Sequence, residues 1–589
     1  MFISKINYLE KGCVIMEYSA ITHYMEKRYC YAIEKGKFVV RIETKKDDME
    51  KVILHYRDKY IPLHMIDTSA FKEMTKVATS RFHDYYEVVI DIDCICLRYQ
   101  FELVDKAGET TYYGNYDFYE EKIDNIDRMF DLPQNLREEE SFSVPEWAKN
   151  KVIYQIFPSR YATTEKICEK EWYKAPIGPK DELKGNLRGV INTLERLKEL
   201  GIDVLYMTPI FKSNSTHKYD TIDYYKIDDS FGSEEDLKEL VDKAHSLGMK
   251  VLLDGVFNHT GTDFFAFKDV VENGEQSRYK DWYYIDKFPI FAGSRTERPS
   301  FKSFAYYGRM PKLNLNNDQV AEYFINVGKY WIEKCNIDGW RLDVGDEVIH
   351  DFWKRFRKAI KSIKPDAFIV GEIWHYAGDF LEGDEWDSIM NYSFYYSVQD
   401  FVCNESISAS RFLQGLDFMR GRLYREINPV LLNLIDSHDT ARFLHVAGEN
   451  KDKLKLAAAL QLLLPGMPMI YYGDEYGMTG GNDPDNRRGM VWDEKYKDLD
   501  IYEWYKGLIK VRKAYPQLTE GELVSCDTDD EKGLITMVKR LDGKEVTVVF
   551  CGKSEGANLP QYSGKQELIT EKPFEGTLEG YGAAVFSVN

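Results

Sequence analysis

The sequence predicts an α/β fold, a closed eight-stranded (β/α)8 TIM barrel with one β-sandwich before it and a second after it. From about residue 151, an amphipathic helical stripe, a glycine and a continuous apolar run recur several times. This alternation is typical of a parallel sheet covered by helices on both faces. On either side of that region, short β-branched runs alternate with polar turns, which is typical of antiparallel strands.

Length and composition limit the classes of partner. A chain of 589 residues is too long for one ordinary core, so several domains are expected. Its formal net charge of −20 argues against nucleic acid and against an anionic membrane surface as partners. No apolar run approaches the length of a membrane span, so no membrane partner is expected.

The cysteines and the first residues indicate a compartment. Nine cysteines are scattered without zinc-ligand spacing, which predicts reduced thiols in a reducing compartment. The opening stretch carries charges within its apolar residues and lacks a small-residue cleavage site, unlike a signal peptide. We therefore predict a cytoplasmic protein, with residues 1–15 as a possible extension ahead of a second methionine, Met16.

Residues 16–130 are predicted to form the N-terminal β-sandwich. The strand-like runs are 37–44, 51–56 and 87–103. A polar stretch at 135–143 with three successive glutamates is interpreted as the linker. The barrel is assigned to residues 131–504, beginning with the apolar run 152–157.

Within the barrel, helical stripes lead into apolar runs that are predicted to be strands. One helix is expected to begin at a capping box made by Ser233 and Asp236. After the third strand, about fifty residues lack a helix–strand unit, so residues 261–313 are predicted to be an inserted domain over the functional face. Residues 505–589 are predicted to be the C-terminal β-sandwich, with a hairpin turn at Asp542-Gly543.

Four segments in the middle of the chain carry the candidate chemistry. They read LLDGVFNHTG (252–261), GWRLDVGDEV (339–348), GEIWH (371–375) and LIDSHDTARF (434–443). They place Asp343, Glu372 and Asp439 at the ends of strand-like runs, and in such barrels the site lies at the C-terminal ends of the strands. Convergent carboxylates of this kind serve glycosidic bond cleavage, one as acid and one as nucleophile.

The ordered motifs VIYQIFPSRY, KYDTIDYY, DGVFNH, MPKLN, GWRLDV, GEIW, SHDT and YYGDE resemble the α-amylase superfamily of retaining glycoside hydrolases. Together with a β-sandwich before the barrel, MPKLN at 310–314 resembles the branch of neopullulanases, cyclomaltodextrinases and maltogenic amylases. The resemblance implies that Asp343 is the nucleophile, Glu372 the general acid/base, and Asp439 a third acid that grips sugar hydroxyls.

The surroundings of two carboxylates suggest how they would be tuned. Arg341 lies two residues before Asp343 on the same face of a strand, so we expect it to keep Asp343 ionised with a low pKa. The apolar Ile373 and Trp374 follow Glu372, a drier setting that favours the protonated acid.

The resemblance also implies roles in substrate binding. His259 and His438 would hydrogen-bond sugar hydroxyls, and Tyr219 would be an aromatic platform under the distorted ring. The other substrate-binding residues that the resemblance implies are Asp483 and Arg487 for the next sugar outward, Glu347 on the acceptor side, Trp374 on the leaving-group side, and Arg341 beside the nucleophile. The competing interpretations are that His259 and His438 are structural and that Tyr219 belongs to the core. Likewise, Asp483 and Arg487 could form a surface ion pair, and Glu347 could be a solvated carboxylate.

The implied activity is retaining hydrolysis of α-1,4 bonds in cyclomaltodextrins, maltooligosaccharides and pullulan, with some transglycosylation. An α-1,6-glucosidase or a glucanotransferase of the same superfamily stays open. A non-enzymatic glycan-binding scaffold is disfavoured because the three carboxylates are all present. The branch also implies a homodimer, in which the N-terminal sandwich narrows a partner's active-site mouth.

Many members of this superfamily hold calcium in a loop after the first barrel strand, and here that loop departs from the pattern. It reads ATTEKIC at 162–168, with GNL at 185–187 where Gly-Asp-Leu is common. Calcium needs six to eight oxygen ligands, which lysine and cysteine do not supply. We therefore predict no metal there and no cofactor.

Overall fold

The computed structural model describes residues 16–34, 36–61, 70–94, 96–133, 143–294 and 296–588. The possible extension at 1–15 and nearly all of the predicted linker, 135–142, lie outside the described residues. The chain divides into two compact units. One holds the first 143 residues and Leu413–Glu426, and the other holds Val144–Phe412 and Ile427–Asn589.

The first unit contains two antiparallel sheets facing a shared core. Within its described residues, one sheet pairs in the order Cys30–Glu34, Lys37–Lys45, His83–Asp91 and Thr75–Thr79. The other runs Ala70–Glu73, Met49–Asp58, Cys96–Asp105, Thr110–Tyr113 and Phe118–Tyr119, with Phe130–Pro133 also paired to Cys96–Asp105. The core between them includes Phe38, Leu54 and Phe101, all without solvent exposure.

Two details of this unit differ from the predictions. The run 87–103 was expected to be one strand-like stretch, and the structure divides it between two sheets, with His83–Asp91 in one and Cys96–Asp105 in the other. The segment Leu413–Glu426, which the domain prediction assigned to the barrel, packs with this unit. Hydrogen bonds from Arg41 to the carbonyl of Leu423 and from the Thr79 N–H to Asp417 hold it there.

The predicted closed barrel is confirmed. In the described part of the second unit, eight parallel strands pair in chain order and the last pairs with the first. They are Ile153–Ile156, Val204–Met207, Lys250–Gly255, Gly339–Leu342, Phe368–Gly371, Ser388–Asn391, Leu432–Asn433 and Met467–Tyr471. Nearly every strand residue is buried, as expected for strands with side chains inside the barrel and beneath helices.

Helices lie between the barrel strands in the sequence and follow the last of them. The longer ones are Glu234–Ser246, Asp318–Cys335, His350–Ile363, Ala409–Gly421, Lys451–Leu463 and Leu499–Ala514. The shorter ones are Pro158–Tyr161, Glu169–Trp172, Leu187–Ile191, Leu194–Leu200, Tyr392–Val398, Phe443–Val446 and Gln517–Glu520. The predicted capping box is confirmed, because Ser233 accepts from the Asp236 N–H and Asp236 accepts from the Ser233 N–H.

Long connections at the C-terminal ends of the strands shape the functional face. A two-stranded hairpin, Phe211–Ser213 with Thr221–Ile227, follows the second strand. The stretch between the third and fourth strands contains a helix, Phe265–Asn273, and isolated bridges, one of which joins His259 to Lys312. That bridge ties the end of this stretch back to the end of the third strand.

The chain ends in a small antiparallel sheet. Its described strands are Glu522–Asp529, Leu534–Leu541, Lys544–Cys551 and Ala583–Val588, accompanied by the pair Ala557–Asn558 and Thr577–Leu578. The predicted hairpin turn is confirmed, with both Asp542 and Gly543 at positive φ and Leu541 paired with Lys544. In the described ranges, no helix is both long and apolar enough to cross a membrane.

Candidate active site

A pocket of about 520 Å³ opens at the C-terminal ends of the barrel strands. This size is ordinary for a small-molecule site. Most of the predicted site residues line it, together with several that were not predicted. The lining residues are His217, Tyr219, His259, Phe304, Met310, Asp343, Val344, Asp346, Glu347, Glu372, Trp374, Asp439, Asp483 and Arg487. Arg341 and His438 lie directly behind this wall.

Arg341 is the centre of the site. Its side chain is fully buried, and its Nη1 lies 2.8 Å from Asp343 Oδ1 and 3.0 Å from Asp254 Oδ2. Its Nη2 lies 2.8 Å from Glu372 Oε2. One guanidinium thus holds together the two carboxylates assigned as nucleophile and acid, which come from neighbouring strands.

The predicted low pKa of Asp343 is wrong for the free site. Burial raises the pKa of Asp343 well above its ordinary value, Arg341 opposes this, and the nearby charges of Glu372, Asp254 and Asp439 raise it further. The sequence indicated one cation beside one carboxylate. In the structure that cation is shared by three carboxylates, so its lowering effect on the pKa of Asp343 is outweighed by burial and by the neighbouring negative charges.

Glu372 is held at both carboxylate oxygens. Its Oε1 accepts from Trp374 Nε1 at 3.0 Å, and its Oε2 accepts from the Val344 N–H at 3.0 Å. Val344 is a β-branched residue in the left-handed region, with φ 46° and ψ 45°, a conformation such residues rarely adopt. That conformation turns its N–H toward the acid, so the backbone after the nucleophile fixes the neighbouring carboxylate.

The third carboxylate, Asp439, also lines the pocket and has partners of its own. Asp439 Oδ2 is 3.0 Å from His438 Nε2, and Asp439 Oδ1 is 3.3 Å from Arg487 Nη2. These cationic and imidazole neighbours outweigh the effect of burial and lower the pKa of Asp439. Arg487 also forms an ion pair with Asp483 at 2.7 Å, and their role in binding a sugar stays a prediction.

Two aromatic contacts shape the bottom of the pocket. Tyr219 stacks on His438 with ring centroids 5.5 Å apart, and its hydroxyl donates to Asp254 Oδ2 at 3.1 Å. His259 is buried and stacks on Phe304 at 5.3 Å. Burial, with the charge of Lys312 adding to it, lowers the pKa of His259 to about 3, so this imidazole is neutral near neutral pH.

The outer edge is more open. Trp374 stacks on Tyr392 with centroids 3.8 Å apart, and 41% of Trp374 remains exposed. The Glu347 side chain is 45% exposed, and its Oε2 lies 3.4 Å from Lys312 Nζ. Both therefore present surface to a ligand that enters the pocket.

Sequence reasoning missed Asp254 and Lys312, although both lie in quoted motifs. Asp254 stands in LLDGVFNHTG, and its register opposite Arg341 on the next strand creates the contact. Lys312 stands in MPKLN and reaches Asn258 and Glu347. A charged residue inside a buried strand was the signal available for Asp254.

In the loop that was compared with calcium sites, side-chain oxygens already interact with other groups of the protein. Asn186 Oδ1 accepts from the Gly189 N–H at 2.8 Å, and Thr163 Oγ1 accepts from the Glu165 N–H at 3.0 Å. Glu165 pairs with Lys184 at 3.4 Å. In the described residues there is no group of three His, Cys, Asp or Glu side chains that could hold a metal ion. Calcium takes six to eight oxygen ligands, and several oxygens of this loop already take part in hydrogen bonds or an ion pair.

Comparison with known proteins places these features in a family. The model of the alpha amylase catalytic domain matches residues 155–521, and that of the alpha amylase N-terminal ig-like domain matches residues 16–134. A cyclomaltodextrinase of Thermoanaerobacter pseudethanolicus is 40% identical over 560 residues, covering 94% of this chain and 96% of its own.

Two further relatives agree. Neopullulanase 2 of Thermoactinomyces vulgaris is 41% identical over 556 residues, covering 93% of this chain and 94% of its own. A solved cyclomaltodextrinase structure superposes with a TM-score of 0.89 and 36% identity, covering 97% of this chain and 98% of that one.

Proposed function

This chain belongs to the α-amylase family and is a glycoside hydrolase, and on that basis we propose that it cleaves α-1,4-glucosidic bonds of cyclomaltodextrins, maltooligosaccharides and pullulan. The names of its relatives and their coverage of nearly the whole chain support this substrate class. The N-terminal domain match supports the branch that the motifs resemble.

The observation that carries the proposed chemistry is the sharing of Arg341 by Asp343 and Glu372. Each carboxylate has an oxygen 2.8 Å from this guanidinium, and each lines the same pocket. A retaining mechanism uses two carboxyl groups about 5–5.5 Å apart, one on each side of the scissile bond. Two carboxylates gripped by one guanidinium suit that requirement.

In the first step, Glu372 protonates the glycosidic oxygen while Asp343 attacks the anomeric carbon. The bond from that carbon to the leaving oxygen breaks, and a covalent glycosyl–Asp343 ester forms. The step needs one proton on the pair, on Glu372, with Asp343 ionised.

In the second step, the ionised Glu372 removes a proton from an incoming hydroxyl, which attacks the same carbon and releases Asp343. Water as the incoming molecule gives hydrolysis, and a sugar hydroxyl gives transfer. Asp439, with His438 and Arg487 behind it, would bind hydroxyls of the sugar ring through charge-assisted hydrogen bonds. Glu347 and Trp374 would face the side on which leaving groups and acceptors bind.

The decisive experiment is a chromatogram of products from β-cyclodextrin, pullulan and soluble starch. We expect linear maltooligosaccharides from the ring, with the α-anomer formed first. Cleavage confined to α-1,6 linkages would favour a debranching activity, and ring products from linear chains would favour a glucanotransferase. No cleavage of any α-glucan would contradict the proposal.

Two further proposals concern the protein as a whole. Free thiols at the buried Cys30, Cys96, Cys335 and Cys551 support a reducing compartment, and we propose that the enzyme is cytoplasmic. The homodimer rests on resemblance to the branch, in which the N-terminal sandwich narrows a partner's pocket. We expect sedimentation to give a dimer and kcat/KM to be higher on cyclodextrins than on starch. A monomer that keeps this preference would defeat the dimer explanation.

A further inference from the structure

Lys312 carries a partly buried cation that the proposed chemistry does not use. Its side chain is 23% exposed, and its Nζ donates to Asn258 Oδ1, to the Glu347 carbonyl at 2.8 Å and to Glu347 Oε2 at 3.4 Å. Removing an ammonium from water costs free energy unless oxygens replace its hydration. Here these oxygens belong to Glu347, which lines the pocket, and to Asn258, which lies behind it.

The partners of Lys312 are themselves fixed. Asn258 is fully buried, and its Nδ2 lies 3.4 Å from Glu347 Oε2 and 3.3 Å from His259 Nδ1. The backbone of Lys312 is bridged to His259. The ammonium therefore connects the end of the third barrel strand to the turn that follows the nucleophile.

That turn, Gly345–Glu347, is held at two ends. At its start, the Gly345 N–H donates to the Glu372 carbonyl at 3.2 Å. At its end, Lys312 holds both the carbonyl and the carboxylate of Glu347. Apart from Lys312 and the 3.4 Å contact with Asn258 Nδ2, the Glu347 side chain is half exposed, so without the ammonium it would be held more loosely.

We propose that Lys312 is a positioning residue that fixes Glu347 on the acceptor side and thereby favours sugar acceptors over water in the second step. The inference rests on the proposed function, because it needs a glycosyl-enzyme that can be transferred. Lys312 does not line the pocket, so it acts through Glu347 and through the turn.

Transfer should depend on Lys312 more than hydrolysis does, because a sugar acceptor must be oriented before it can react. A sugar acceptor reacts only when one of its hydroxyls is aligned with the anomeric carbon, and a fixed hydrogen-bonding wall supplies that alignment. Water is small and needs little alignment. Loosening Glu347 therefore costs the transfer reaction more than the hydrolysis.

The test compares Lys312→Met with Lys302→Met. Lys302 is a matched control in the same inserted stretch, because it pairs with Asp286 on the surface, at 55% and 50% side-chain exposure, away from the pocket lining. With β-cyclodextrin as donor and excess maltose as acceptor, we expect Lys312→Met to lower the ratio of transfer to hydrolysis by about tenfold, less than the ~10²-fold that a 1 Å misplacement of a positioned group can cost. Lys302→Met should leave the ratio unchanged.

A second comparison asks whether Lys312 acts through Glu347. Glu347→Gln should lower the same ratio, and the double variant should lower it no further than the stronger single variant, because the two side chains act as one unit. Should Lys312→Met fail to fold, Lys312→Gln takes its place with the same expected direction. Additive losses in the double variant would overturn the proposal.

Other outcomes separate this inference from the proposed function. Equal losses of transfer and hydrolysis in Lys312→Met would assign Lys312 a merely structural role and overturn the inference. A wild type that hydrolyses the ring but transfers nothing to maltose would also overturn it, while leaving the proposed hydrolysis intact. A wild type that cleaves no α-glucan would refute the proposed function itself.

Discussion

The pocket combines two regions that differ in their exposure to solvent. The Arg341 centre consists of Arg341, Asp254, Asp343 and Glu372, all nearly or fully buried. The rim consists of Glu347, Trp374 and Asp483, whose exposures range from 41% to 51%. The centre holds its carboxylates with short ion pairs beneath the strand ends, and the rim holds its groups on loops that reach solvent.

The difference shows where electrostatics is strong in this molecule. Away from water, charges interact several-fold more strongly than at the surface, and removing one partner leaves another uncompensated. At the rim, solvent and salt screen the same kind of pair, and its contribution is small. Substitutions in the centre should therefore change the chemistry, and substitutions at the rim should change the choice of substrate.

The largest effect is expected at the nucleophile. Asp343→Asn should lower kcat on β-cyclodextrin by about 10⁴-fold or more, because the glycosyl ester can no longer form. The shape of the pocket is retained, so calorimetry should still detect binding of the ring. Turnover near that of the wild type would refute the assignment of Asp343.

The acid/base residue should show a loss that depends on the substrate. Glu372→Gln should lower activity on maltooligosaccharides by about 10²- to 10⁴-fold, the usual contribution of proton transfer. With a leaving group that needs no proton, such as a nitrophenolate or fluoride, the glycosylation step should be affected far less. The same loss on both kinds of substrate would contradict an acid role for Glu372.

Asp254 tests whether like charges in the centre set the protonation of Asp343. Asp254 raises the pKa of Asp343, and Asp343 must be ionised to attack. In Asp254→Asn, that pKa falls and Arg341 has one partner fewer, so the acid limb of kcat/KM should move to lower pH by about one unit. An acid limb that stays in place or moves to higher pH would argue against this coupling.

A rim charge should matter much less. Asp483→Asn removes the exposed partner of Arg487, yet Arg487 keeps Asp439 and the His438 carbonyl. We expect KM to rise by about threefold with little change in kcat, and the difference to shrink in high salt, as for a screened pair. A loss of kcat comparable to that in Glu372→Gln would break the distinction between centre and rim.

The sequence was sufficient to predict the barrel, because the alternation of helix and apolar strand is visible in local stretches of the chain. The three predicted carboxylates line one pocket in the structure, and their catalytic roles stay predictions. The seventh strand, Leu432–Asn433, is only two residues long, which is too short to show a periodic pattern of apolar residues. The raised pKa of Asp343 was not predictable, since it depends on which strands lie side by side and bring Asp254 and Glu372 to the same guanidinium.

The contacts of Lys312 were not predictable for a similar reason. Its partners Asn258 and Glu347 lie 54 and 35 residues away, and only folding of the inserted stretch brings them together. The motif that contains Lys312 indicated a branch of the family, whereas the contact itself is tertiary.

The smallest effect is expected from removal of divalent ions. A chelator such as EDTA should leave both activity and melting temperature unchanged, because the oxygens after the first barrel strand already serve the fold. Asn186 Oδ1 caps the helix Leu187–Ile191, and Glu165 is paired with Lys184. A Ca²⁺ ion there would have to displace a cap worth about 1 kcal/mol and an ammonium before gaining its six to eight ligands.

Scanning calorimetry with EDTA and with excess CaCl₂ measures the effect of calcium on the melting temperature directly. A melting temperature that falls in EDTA and returns with Ca²⁺ would show that the chain binds calcium after all.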